Sequence, residues 1–154
     1  MPPLLQPVAH TLLQCTEELE FTLTGLTPEE IWSASEATAA SIGFHTRHAI
    51  GALDRLFTYA RNETLSDEQR RTAGQEAHPD LQLTGDELRT RVRGAVERAL
   101  AQLRATDEST LPEARFVGRQ RLPSTVLGLL FHAAEHTQRH AGQALTTRKL
   151  LVRR

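Results

Sequence analysis

Leu130-Phe-His132-Ala-Ala-Glu135-His136-Thr-Gln-Arg-His140-Ala-Gly-Gln143 carries three histidines at intervals of four residues. In a helix each step of four turns a side chain by about 40° and raises it by about 6 Å, so the three imidazoles form one slanted ridge. Neighbours on that ridge can both place a ring nitrogen about 2.1 Å from one ion, whereas the first and third lie about 12 Å apart and would have to strain together. Val126, Leu129, Ala133 and Ala144 continue the pattern as an apolar stripe that includes His136 and His140 and leaves His132 on the flank with Thr125 and Gly128. The stretch therefore reads as a core-facing helix that offers His136 and His140 as a pair to one ion.

Three more stripes of helical period precede it. Leu5, Val8, Leu12, Cys15 and Leu19 form one, starting near the N-terminal prolines. Gly25 stops that helix, and Thr27 followed by Pro28 and two glutamates reads as the cap and first turn of a short helical segment. From Ala39 to about Ala60, the positions Ile42, His45, Ala49, Ala52, Leu53 and Leu56 form the second stripe, with Asp54, Arg55 and Arg61 towards solvent. Thr84 and Glu87 match a capping box that opens the third, Leu88, Val92, Ala95, Ala99 and Leu103. The helix of the ridge starts at Pro123-Ser124-Thr125 and ends in Arg148, Lys149, Arg153 and Arg154, where cations suit the helix dipole. Asn62 to Asp80 is polar and without period, which predicts a long loop, and Asp107 to Leu122 is a second connection. Nothing alternates as a half-buried strand, and no repeat appears. The expected fold is all-α: an antiparallel four-helix bundle, residues 1–154 as one domain, with a long connection between the second and third helices.

Composition narrows the function. Eighteen Lys+Arg against nineteen Asp+Glu leave no bulk positive field, so nucleic acid is not an expected partner. No stretch approaches the roughly 18 apolar residues of a membrane span, and the start lacks the pattern of a signal peptide, so no membrane partner is expected either. The single cysteine, Cys15, excludes a Cys-based zinc knuckle and a Cys-x-x-Cys pair. It sits on the first stripe and reads as a core residue of a cytoplasmic protein.

A pair of histidines is a weak site, and a third ligand has to come from another helix. Phe44-His45-Thr-Arg-His48 is the other histidine-rich segment, and periodicity leaves both of its histidines open: His45 lies on the stripe, His48 beside it above Ala52. Burying imidazoles without partners costs roughly 1–3 kcal/mol each, so several on core-facing positions of two helices favour shared coordination of a metal. A di-iron bundle is excluded, because no Glu is followed three residues on by His. His132-Ala-Ala-Glu135-His136 matches the short His-x-x-Glu-His pattern of zinc hydrolases, which makes His132 a ligand and Glu135 a general base. Against it, Glu135 points about 100° away from His136 around the helix.

Two segments resemble the DinB/YfiT-like superfamily of metal-binding four-helix bundles: Ser41-Ile-Gly-Phe-His-Thr-Arg-His48-Ala-Ile-Gly-Ala-Leu-Asp-Arg-Leu-Phe-Thr-Tyr59 and the ridge from Leu130 to Gln143. The resemblance implies His48, His136 and His140 as the ligands of one divalent ion, whether zinc, nickel, iron or a similar metal. It puts His45 and His132 outside the coordination shell, lining the cavity or orienting a ligand. It further implies a metal-dependent enzyme acting with a small-molecule substrate, a low-molecular-weight thiol in a bacillithiol-type S-transferase reaction, with no catalytic side chain assigned. Arg47, Arg55 and Arg139 are candidates to hold the carboxylates of such a thiol. The alternatives are a non-catalytic, stress-linked metal-binding protein that forms a homodimer through an exposed helix face, and the small zinc hydrolase.

Overall fold

The computed structural model describes residues 1–34 and 40–152, so the expected helix start at Ala39 and the basic Arg153 and Arg154 lie outside the described residues. The elements are α1 (Gln6–Leu23), α2 (Pro28–Trp32), α3 (Ile42–Ala60), α4 (Asp67–Gln75), α5 (Gly85–Ala105), β1 (Ala114–Val117), β2 (Leu122–Thr125) and α6 (Val126–Val152). Two of the helix starts, at Thr27 and Thr84, carry their expected caps. Thr27 and Thr84 form capping boxes with Glu30 and Glu87, and the Ser41 hydroxyl accepts the Phe44 N–H at 3.1 Å. Gly25 adopts φ +74° just beyond α1, the left-handed turn that ends a helix at least cost.

The long helices pack in the cyclic order α1, α6, α3, α5. At one end Leu5, just ahead of α1, and Leu12 of α1 meet Leu53 and Phe57 of α3, Leu103 of α5, and Leu129 and Leu130 of α6. At the other end Cys15 and Leu19 meet Ile42, Leu88, Val92, Ala141 and Ala144. Both clusters fix the directions: α1 and α6 run one way, α3 and α5 the other. Antiparallel contacts therefore join α1 to α5 and α3 to α6, while α3 and α5 lie parallel. That last relation explains the long connection between them, because the chain must travel back along a helix of about 28 Å before α5 can start.

Two connections hold structure that their sequence hides. The polar stretch expected as a loop contains α4, opened by a Ser66–Gln69 capping box. No residue of α4 is buried, so it leaves no apolar stripe to read. Gln69 holds it to α3 by donating to Asp54 Oδ2 at 2.6 Å and Thr58 Oγ1 at 2.8 Å. The second connection folds as the antiparallel hairpin β1–β2, with Ala114 opposite Thr125 and Val117 opposite Leu122. Its faces are exposed or half-buried, too shallow to impose an apolar alternation. Pro123, Ser124 and Thr125, expected at a helix start, lie on β2 instead. Thr125 still caps α6, its hydroxyl accepting the Gly128 N–H at 3.0 Å.

Candidate metal centre

The antiparallel contact of α3 and α6 brings the two histidine segments together. His48, His136 and His140 each offer one ring nitrogen within 4.8 Å of the others, a group that could hold a metal ion. His48 Nε2 and His136 Nε2 are 3.0 Å apart. Ring centroids of His140 lie 4.5 Å from His48 and 4.7 Å from His136. Four ligands placed tetrahedrally about 2.1 Å from one ion are about 3.4 Å from each other, so the donor set and its spacing fit a divalent ion after small side-chain adjustments.

The surroundings of each ring differ. His45 is 5% exposed and His140 is 9% exposed. Their Nδ1 atoms are 3.0 Å apart, so one carries a proton that it donates to the other. Phe44 stacks on His48 with centroids 5.4 Å apart and an interplanar angle of 16°. The Nδ1 of His48 lies 2.7 Å from Glu76 Oε2, and Arg55 donates from Nη1 to Glu76 Oε1 at 2.6 Å. Glu76 comes from the end of α4, a position that no sequence motif marks. Arg55, expected towards solvent, keeps only 16% of its side chain exposed because it turns inward to this carboxylate.

Electrostatics favour neutral rings at His45, His136 and His140. Burial, and then the neighbouring histidines and Arg139, push the His140 pKa down to about 4. Burial leads again for His136 and His45, both held below the ordinary histidine value, with His48 adding to it. Glu76 shows the reverse balance. Burial pushes its carboxyl up, but the hydrogen bonds from His48 and Arg55 and their charges outweigh it and hold the group below the usual carboxylate range.

The other sequence candidates lie apart from this point. His132 is half exposed, and its Nδ1 lies 2.7 Å from Glu135 Oε1. His132, Glu135 and His136 also bring ligand atoms within 4.8 Å, but all three come from α6 and none from a facing helix. Arg139 is 58% exposed and reaches Glu135 at 3.6 Å. Arg47 lies over the Trp32 ring at 5.6 Å and donates to the His78 carbonyl at 3.2 Å. Of the three arginines, only Arg55 touches the cluster's partners, and it does so through Glu76.

A four-helix bundle in which two antiparallel helices converge their histidines beside a buried carboxylate is the class of protein defined by this fold and cluster. The chain belongs to the DinB superfamily, whose family model matches residues 11–144. No curated protein matches it. Among solved structures it is similar to a conserved protein from Enterococcus faecalis, with a TM-score of 0.81 and 20% identity over 100% of both chains. It is also similar to a protein from Streptococcus pneumoniae, with a TM-score of 0.65 and 12% identity over 95% of this chain and 88% of that one. At those identities the likeness is one of fold. Among the described residues no helix is long and apolar enough to cross a membrane.

Proposed function

We propose that residues 1–154 form a single domain that holds one divalent metal ion on His48, His136 and His140 and acts with a low-molecular-weight thiol, as an S-transferase of the kind the family resemblance implies. The observation that supports this most is the convergence of three ring nitrogens from two helices within 4.8 Å. His48, His136 and His140 would hold such an ion through three neutral imidazoles, and the ion would supply Lewis-acid chemistry there, lowering the pKa of a thiol or water so that a nucleophile forms at neutral pH. The chain prepares that position. Burial keeps His136 and His140 unprotonated at pH 7, so their lone pairs are available without first losing a proton. His45 holds the orientation of His140 through the Nδ1 contact, and Phe44 covers one face of His48.

The thiol has to come from outside the chain. Cys15 is buried among the core side chains, and burial together with Glu18 pushes its thiol up to about 12, which leaves almost no thiolate at neutral pH.

Elemental analysis of untagged protein tests the ligand set: one metal per chain is expected for the wild type and a large loss for His48→Ala. Cobalt-substituted protein tests the chemistry, since a thiol that enters the open position changes the visible spectrum. A spectrum indifferent to every thiol tried would leave a metal-binding protein without this activity. The hydrolase alternative needs His132, so full metal content in His132→Ala excludes it.

A further inference from the structure

We infer that Glu76 is a positioning residue of the histidine cluster: it fixes His48 as the Nδ1–H tautomer and thereby aims the Nε2 lone pair at the point shared with His136 and His140. This rests on the reading of His48 as a ligand.

Glu76 is 6% exposed, and a carboxylate so buried persists only with partners. It has two, His48 Nδ1 at 2.7 Å and Arg55 Nη1 at 2.6 Å. An ionised carboxylate only accepts hydrogen bonds, so the proton of this contact sits on His48 Nδ1. A neutral imidazole protonated there has its lone pair on Nε2, the atom 3.0 Å from His136 Nε2. A carboxylate that holds the far nitrogen of a ligating histidine sets both tautomer and ring direction.

The helix is shaped to admit this carboxylate. His48, Gly51 and Arg55 follow at spacings of three and four, one face of α3. A Cβ built on Gly51 would fall on Glu76 Oε1 and 2.9 Å from Arg55 Nη1. Glycine in the middle of a helix weakens it relative to alanine, and here it leaves the seat that Glu76 occupies. A plain ion pair between α4 and α3 would need Arg55 and Glu76 but would have no bearing on which nitrogen of His48 carries the proton.

The test uses 15N-labelled, chelator-treated full-length protein, with long-range 1H–15N spectra to locate the imidazole protons and zinc affinity measured by competition with a chromophoric chelator. In the wild type His48 should carry its proton on Nδ1. In Glu76→Gln the Arg55 donors claim the amide oxygen, which leaves the NH2 group facing His48 Nδ1. That nitrogen must then accept, the tautomer reverses, and zinc affinity falls 10–100-fold. Gly51→Ala displaces the carboxylate while favouring the helix, so the same loss of affinity should appear with helix content retained. An Nε2–H tautomer in the wild type overturns the inference. So does wild-type zinc affinity in both variants while His48→Ala loses the metal, a pattern that leaves the ligand set standing. Undiminished affinity in His48→Ala overturns both, since it removes the ligand that Glu76 is held to aim.

Discussion

Acidification of the metal-free protein from pH 7 to pH 5 should destabilise it by about 2 kcal/mol through His140 alone. The folded state holds the His140 pKa at about 4 against an ordinary value of 6.5. As pH falls through 6.5, the unfolded chain takes up a proton that the folded chain refuses, and the fold loses stability until the folded ring protonates as well. Each unit of that window costs about 1.36 kcal/mol, and the stretch from pH 7 to 5 covers about one and a half units of it. For a domain of this size the shift in melting temperature is about 4–8 °C. His45 and His136, also held below the ordinary value by burial, add in the same direction. Glu76 acts the same way chiefly as pH falls through 4.5, the midpoint of its unfolded-state carboxyl, and so adds little above pH 5. The window chosen is thus a histidine window. Urea unfolding at pH 7, 6 and 5 in the presence of a chelator measures it, with His140→Gln as the control that should lose this share of the slope. A wild-type midpoint independent of pH between 7 and 5, or an unchanged slope in His140→Gln, would refute the picture of buried neutral imidazoles.

Zinc at one hundred times its dissociation constant should raise the unfolding free energy by about 2.7 kcal/mol at pH 7 through mass action, visible as a higher melting temperature that His136→Ala abolishes. Gly43→Ala should destabilise by about 1–3 kcal/mol in urea titrations despite a better helix propensity, because the new Cβ would lie 2.7 Å from the Trp32 ring; Trp32 fluorescence should report the displaced ring. Cys15 should resist a chromogenic thiol reagent in the native protein and react fully in denaturant, as its burial and raised pKa require.

The sequence by itself determined the four core-facing helices, since burial of one face writes a period of three and four residues into Leu5–Leu19, Ile42–Leu56, Leu88–Leu103 and Val126–Ala144. It determined the cap at Thr27 and the capping box at Thr84, which are local chemistry, and the turning of His136 and His140 towards the core. It left α4 and the hairpin unread, because elements held by polar side chains or half exposed carry no apolar signature. Between His45 and His48 periodicity could not choose, and the tertiary structure shows why: both rings face α6, His45 against His140 and His48 against His136. Only tertiary structure decided that Glu76, remote from His48 in sequence, lies against its Nδ1. A hydrogen bond across the crossover depends on where α4 ends and on the space left at Gly51, and neither is encoded in any local pattern.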